Sequence, residues 1–105
     1  MYDLYGARDL SVEHLHRLVS AALGIAFRGH FSEVAGDYYF ADDGTSEFMV
    51  ESNLATDEEG TYHLEEDFPE YGTLFHAVTE NGDAIREALA TVAGLTFLRR
   101  EFETK

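Results

Sequence analysis

Five histidines and twenty-one carboxylates are the side chains of this 105-residue chain that could carry chemistry, and it has no cysteine. Disulfides, thiolate metal sites and cysteine nucleophiles are therefore excluded. His14 and His16 form an H-x-H pair. Residues two apart on a helix point about 200° away from each other, so this pair does not offer two ligands to one ion. His30, His63 and His76 are scattered. His30 and His76 could meet if their strands were adjacent, but no ligand spacing points to zinc. No G-x-S-x-G, Walker or G-x-G-x-x-G pattern occurs. Asp42-Asp43-Gly44 and Asp57-Glu58-Glu59-Gly60 lack the alternating ligands and closing Glu of a calcium loop. Glu65 and Glu66 could be imagined as the acid and base of sugar hydrolysis, but adjacent carboxylates on a loop are poorly held for it. The chain is expected to be non-catalytic, with no cofactor and no metal.

The elements that would position these groups are legible in the pattern. Residues 2–7 alternate as a short strand. Ser11 is placed to cap a helix over 12–24, with Glu13 in its first turn and Gly24 at its end. Val12, Leu15, Leu18, Val19, Ala22 and Leu23 recur at spacings of three and four, an amphipathic stripe. Strands are expected at 25–31, 36–41 and 47–51, with hairpins near 32–36 and 42–45. Residues 53–71 read as an acidic loop. A strand at 73–78, a helix from about 81 closed by Gly94, and a last strand at 95–102 complete the chain. The order β-α-β-β-β-β-α-β predicts one α+β domain over residues 1–105. Two helices would cover one face of a mostly antiparallel, ferredoxin-like or related sheet.

Charge is the strongest functional signal. The formal net charge is -14, yet 45% of residues are hydrophobic and 13% aromatic. Acidic disordered tails lack such apolar material, so this is a folded domain with an anionic surface. Residues 53–71 hold Asp57, Glu58, Glu59, Glu65, Glu66, Asp67 and Glu70 with no Lys or Arg. They therefore supply half of the net charge. Tyr62, Phe68 and Tyr71 are interleaved with these acids. Aromatic anchors ringed by steering charge suit a protein interface. The seven acids with Tyr62 and Tyr71 are thus the expected partner-binding residues, although Phe68 and Tyr71 could instead pin the loop to the core. Asp42 and Asp43 would extend the same face if their hairpin tip folds that way. The expected partner is a basic protein. Nucleic acid and anionic membranes, which select Lys and Arg, are not expected. The first ten residues lack a signal-peptide pattern and no apolar run approaches a membrane span, so the expected location is the cytoplasm.

Tyr2-Asp3-Leu4-Tyr5-Gly6, Gly36-Asp37-Tyr38-Tyr39, Glu66-Asp67-Phe68-Pro69 and Leu95 through Glu101, on a small acidic chain without cysteine, resemble the immunity proteins of bacterial toxin–immunity pairs. The resemblance implies a non-catalytic inhibitor that occludes the active site of a basic, nuclease-like toxin. Two rival readings stand beside it. One is a halophilic protein whose acidity is environmental, in keeping with six Arg and the single Lys105. The other is a small-molecule enzyme or sensor with a cleft near His30, His76 or Tyr39. The chain is expected to be a monomer or a weak homodimer, the latter through an edge strand at 95–102.

Overall fold

The computed structural model describes residues 1–102. Strand β1 (Tyr2–Ala7) leads into helix α1 (Val12–Leu23). The Ser11 side chain accepts from His14 N–H at 3.0 Å, and Gly24 ends the helix in the left-handed region at φ 66°. Both caps are those the sequence predicts. Ile25 is tied back to the helix end, its carbonyl accepting from the Ser20 hydroxyl at 2.6 Å. The next strand therefore starts late, as β2 (Arg28–Ser32) instead of at residue 25. A meander follows through β3 (Gly36–Asp42) and β4 (Glu47–Ser52).

The acidic segment is not wholly a loop. It contains an antiparallel hairpin, β5 (Leu54–Asp57) and β6 (Gly60–His63), which forms a small sheet of its own. The chain then re-enters the main sheet as β7 (Thr73–Val78), crosses it in helix α2 (Gly82–Leu89) and ends in β8 (Leu95–Glu101). Helix α2 is shorter than its stripe suggests. A turn intervenes after Leu89, with Val92 N–H bonded to the Leu89 carbonyl. Gly94, at φ 87°, serves the entry to β8 rather than the helix cap.

The main sheet is antiparallel in the order β2-β3-β4-β7-β1-β8. Four consecutive strands, β4-β7-β1-β8, keep the ferredoxin-like split β-α-β order, and the β2–β3 hairpin extends the sheet beyond β4. The fold is the expected α+β arrangement with both helices packed on one face.

Register explains what each face carries. One row across the sheet runs Gly29, Tyr39, Val50, Phe75, Tyr5, Phe97. It faces the helices and packs with Leu15, Val19, Leu89 and Val92 as the main core. The adjacent row runs Arg28, Phe40, Met49, His76, Leu4, Arg99 on the opposite face. His30 and His76 share that second face, but β3 and β4 lie between their strands, so they do not meet. His30 stacks on Tyr38 instead, with ring centroids 5.2 Å apart.

Two glycines are required by close approach. Gly82 begins α2 where β1 and β8 converge: a Cβ there would lie 2.7 Å from Arg100 Nη2 and 2.9 Å from Asp3 Oδ2. Arg100 holds fully buried Asp3 through two hydrogen bonds at 2.8 and 2.9 Å and Asp83 of α2 through a third at 2.8 Å. These carboxylates hold the Arg100 guanidinium firmly protonated. Gly6 lies on the second face, where a Cβ would stand 2.7 Å from the Tyr71 ring and 2.9 Å from Leu98 Cδ1. We expect Gly6→Val to destabilise the domain by about 2 kcal/mol through overpacking, read as a lower urea midpoint with unchanged cooperativity.

Candidate functional site

The acidic segment is built on one side chain. Asn53 is fully buried between the end of β4 and the start of β5. Its amide nitrogen donates to the Phe68 carbonyl at 3.0 Å and the Tyr71 carbonyl at 2.7 Å. Its amide oxygen accepts from Glu65 N–H at 2.8 Å. Its backbone N–H donates to the Gly72 carbonyl at 2.9 Å, and its carbonyl accepts from Leu64 N–H at 2.8 Å. Five hydrogen bonds thus fold residues 64–72 around one residue. At the hairpin end, Thr56 N–H donates to the Val34 carbonyl at 2.9 Å, which seats β5 against the β2–β3 turn. Glu59 N–H donates to Asp57 Oδ1 at 2.8 Å, and Gly60 turns the chain at φ 127°.

This scaffold sorts the sequence-predicted residues. Asp57, Glu58 and Glu59 are exposed at the hairpin tip, and Glu66, Asp67 and Glu70 are exposed along the following turns. None of these six makes an ion pair with a described residue. Glu65 is different. Both of its carboxylate oxygens accept from Arg99 Nη2 at 3.2 Å, so it fastens the segment to β8. Tyr62 stands 40% exposed on β6, while Tyr71 is only 9% exposed. Tyr71 lies over Gly6, with Arg8 5.1 Å from its ring centre and Phe68 edge-on at 6.4 Å. Its ring pins the segment to the sheet and is covered in this fold.

Two neighbours of the acids were not singled out by sequence reasoning. Leu54 and Leu64 are exposed large apolar side chains that flank the hairpin at its open end, away from the Glu58–Glu59 tip. The available signal was an apolar residue repeatedly interrupting an acidic run, which is weak without knowledge of pairing. Asp42 and Asp43 do not extend this surface. They sit at the other end of β3, roughly 20 Å away at about 3.3 Å per residue. Asp43 Oδ1 accepts from Thr45 N–H, the Thr45 hydroxyl and Ser46 N–H at 2.7–2.9 Å, which closes the β3–β4 turn and lowers its pKa.

A second polar arrangement lies on the sheet face that the helices do not cover. Tyr2 Oη lies 2.5 Å from His76 Nδ1, and His76 Nε2 lies 2.6 Å from Glu51 Oε2, within ion-pair range but off the axis of a hydrogen bond. With the phenol donating to Nδ1, the imidazole proton rests on Nε2, toward Glu51. The chain borders a shallow groove of about 200 Å³ floored by Phe40, Met49 and Val78. Burial raises the Tyr2 phenol to about 12, aided by the negative charges of Glu65, Glu51 and Glu101 and opposed by Arg99. A phenol held neutral is no nucleophile at ordinary pH, and the imidazole lone pair is already engaged. The arrangement is a buried polar strut rather than an activated group. His16, also part-buried, stacks flat on Tyr39 at 3.8 Å, and Tyr39 donates to Glu13. Among the described residues, no three His, Asp or Glu side chains converge on a common point as metal ligands would. No helix is long and apolar enough to cross a membrane.

Two measurements check this description. Asn53→Ala leaves the Tyr71 carbonyl and the Glu65 N–H without their side-chain partner, while the Phe68 carbonyl keeps Tyr71 N–H, and should cost about 3 kcal/mol. Amides of residues 64–72 should then exchange with solvent faster than those of β7. Tyr5, like Tyr2, is raised to about 12, chiefly by burial and next by Asp3. Both phenols titrate above their unfolded value of 10, so the folded state favours their neutral forms. That stabilisation is complete below pH 10 and is lost as pH rises from 10 to 12. Tyr39 is raised as well, chiefly by its hydrogen bond to Glu13, so absorbance titration should show three of the six tyrosines ionising late, and Tyr2→Phe should remove one of them. No family model, curated protein or solved structure matches the chain, so its functional reading rests on its own surfaces.

Proposed function

We propose that this chain is a non-catalytic binding protein whose β5–β6 hairpin and following turns engage a basic protein partner. The observation that carries the reading is a set of exposed apolar side chains within an acidic run on a folded platform. Tyr62 is exposed on one face of the hairpin and Leu54 on the other, with Leu64 just past its end. The same segment carries six exposed carboxylates that make no ion pair among the described residues. Protein interfaces use this division: aromatic and aliphatic anchors hold, while rim charge accelerates encounter and selects the partner. The platform is preorganised by Asn53 and by the Glu65–Arg99 pair, so less ordering entropy is lost on binding than a solvated linker would lose. Within this reading the chain acts as an inhibitor of the immunity type. It lays a negative, slightly protruding surface over the basic active-site cleft of a nuclease-like toxin.

The test is kinetic, on the basic protein that co-purifies with the chain from its native host. Asp57→Lys with Glu59→Lys should slow association about tenfold at low ionic strength, with a smaller effect at high salt. Tyr62→Ala should instead speed dissociation about tenfold. Association insensitive to both charge reversal and salt would sink the proposal. A requirement for molar KCl to fold, with no partner captured, would assign the acidity to a saline environment instead.

A further inference from the structure

The β2 edge carries a second surface. Residues Arg28–Ser32 form the outer strand of the six-stranded sheet and pair only with β3, leaving one side of their backbone without a strand partner. Edge strands are usually blunted by Lys, Pro, a bulge or a cover. Here the β2–β3 register is uninterrupted from Arg28 to Ser32, and the strand holds neither Lys nor Pro. The opposite edge is blunted. β8 is bulged at Leu98, where the register shifts opposite Leu4 and Tyr5, and its Arg99 and Arg100 are committed to Glu65, Glu101, Asp3 and Asp83. The expectation that the last strand lies at an edge holds, but β2 is the edge fit for pairing.

We propose that β2 pairs antiparallel with the β2 of a second copy of this chain, in the register that sets His30 opposite His30. Two observations select a second copy as the occupant. The first is shape. In this register Gly29 of each chain faces Phe31 of the other. Phe31 is 71% exposed in the single chain and lies on the helix-side face. Gly29 is the one position of that face with no side chain, and a Cβ there would already be 3.3 Å from the Tyr39 ring. The incoming Phe31 would cross the glycine and reach Tyr39, joining the cluster in which His16 stacks on Tyr39 and meets Phe27 edge-on. Aromatic cover of a facing glycine is a known means of pinning strand register. The fit is self-complementary, since one strand supplies both halves, as a two-fold axis requires.

The second observation is charge. Two chains of net charge -14 repel each other over most of their surfaces. β2 carries Arg28 and no acid, so it is where two copies can approach with least repulsion. The acidic hairpin adjoins this edge only at the β2–β3 turn, through Thr56 and Val34, and added salt acts on the two contacts in opposite directions. Salt weakens attraction between the hairpin and a basic partner but relieves repulsion between two acidic copies.

The test uses the whole chain. Sedimentation equilibrium from low micromolar to millimolar concentration should show a monomer–dimer equilibrium that strengthens with salt. Phe31→Asp, at an exposed position, should weaken it at least about tenfold, or about 1.4 kcal/mol. Because the chain has no cysteine, His30→Cys reports register directly. Directly opposed residues lie within disulfide range, so this variant should oxidise to a covalent dimer while Thr96→Cys on β8 does not. A monomer at every concentration and salt would overturn the proposal. So would a dimer indifferent to Phe31→Asp, or one that cross-links at position 96 and not at 30. None of these outcomes bears on capture of a basic partner by the hairpin.

Discussion

A single buried amide sets the character of this molecule. Asn53 satisfies two carbonyls and one N–H from a stretch that would otherwise have little reason to fold. Residues 53–71 combine seven like charges with no cation, and such a run left to itself solvates and extends. Three attachments offset that tendency. Asn53 gathers the turns, Tyr71 fills the space over Gly6, and Glu65 is neutralised by Arg99. Only the third uses one of the acids. The other six are exposed and make no ion pair among the described residues, so the segment divides into one structural carboxylate and six solvent-facing ones.

The sheet has two unlike faces, and their difference follows from strand alternation. The helix-side row is apolar and sealed by α1 and α2. The opposite row includes His76, Met49 and Arg99 and is only partly roofed by residues 64–71. The Tyr2–His76–Glu51 chain occupies the boundary between roofed and open sheet. There each polar group is half withdrawn from water and must find protein partners. The neutral, high-pKa Tyr2 phenol results first from that withdrawal from water and then from the fixed negative charges beside it.

What could be read in advance was what short range controls. Ser11 and Gly24 mark α1 because capping is a local bond and a local dihedral. Aromatic and apolar runs at 36–41, 47–51 and 73–78 mark strands, and the Asp-Gly turn joins two of them. The rest depends on who lies across from whom. Nothing around Asn53 says that its partners are fifteen and eighteen residues away. Tyr71 reads as a free aromatic until Gly6, at the other end of the chain, is seen to leave a space for it. Glu65 looks like one more acid until Arg99 arrives from the last strand. His30 and His76 could be imagined as neighbours only while strand order was open. The candidate surface was therefore located in the sequence, but its internal division of labour was not.

The central position of β1 has a temporal consequence. Its neighbours are β7 and β8, which begin only at Thr73 and Leu95, so β1 has no partner until those distant segments have been made. The β2–β3–β4 meander can form as soon as it emerges, because its pairings are local. It must then wait with one edge of β4 unpaired until β7 arrives. Sheets closed by such distant pairings assemble slowly, and an unpaired strand is what recruits wrong neighbours. The net negative charge that every copy carries opposes such contacts between copies.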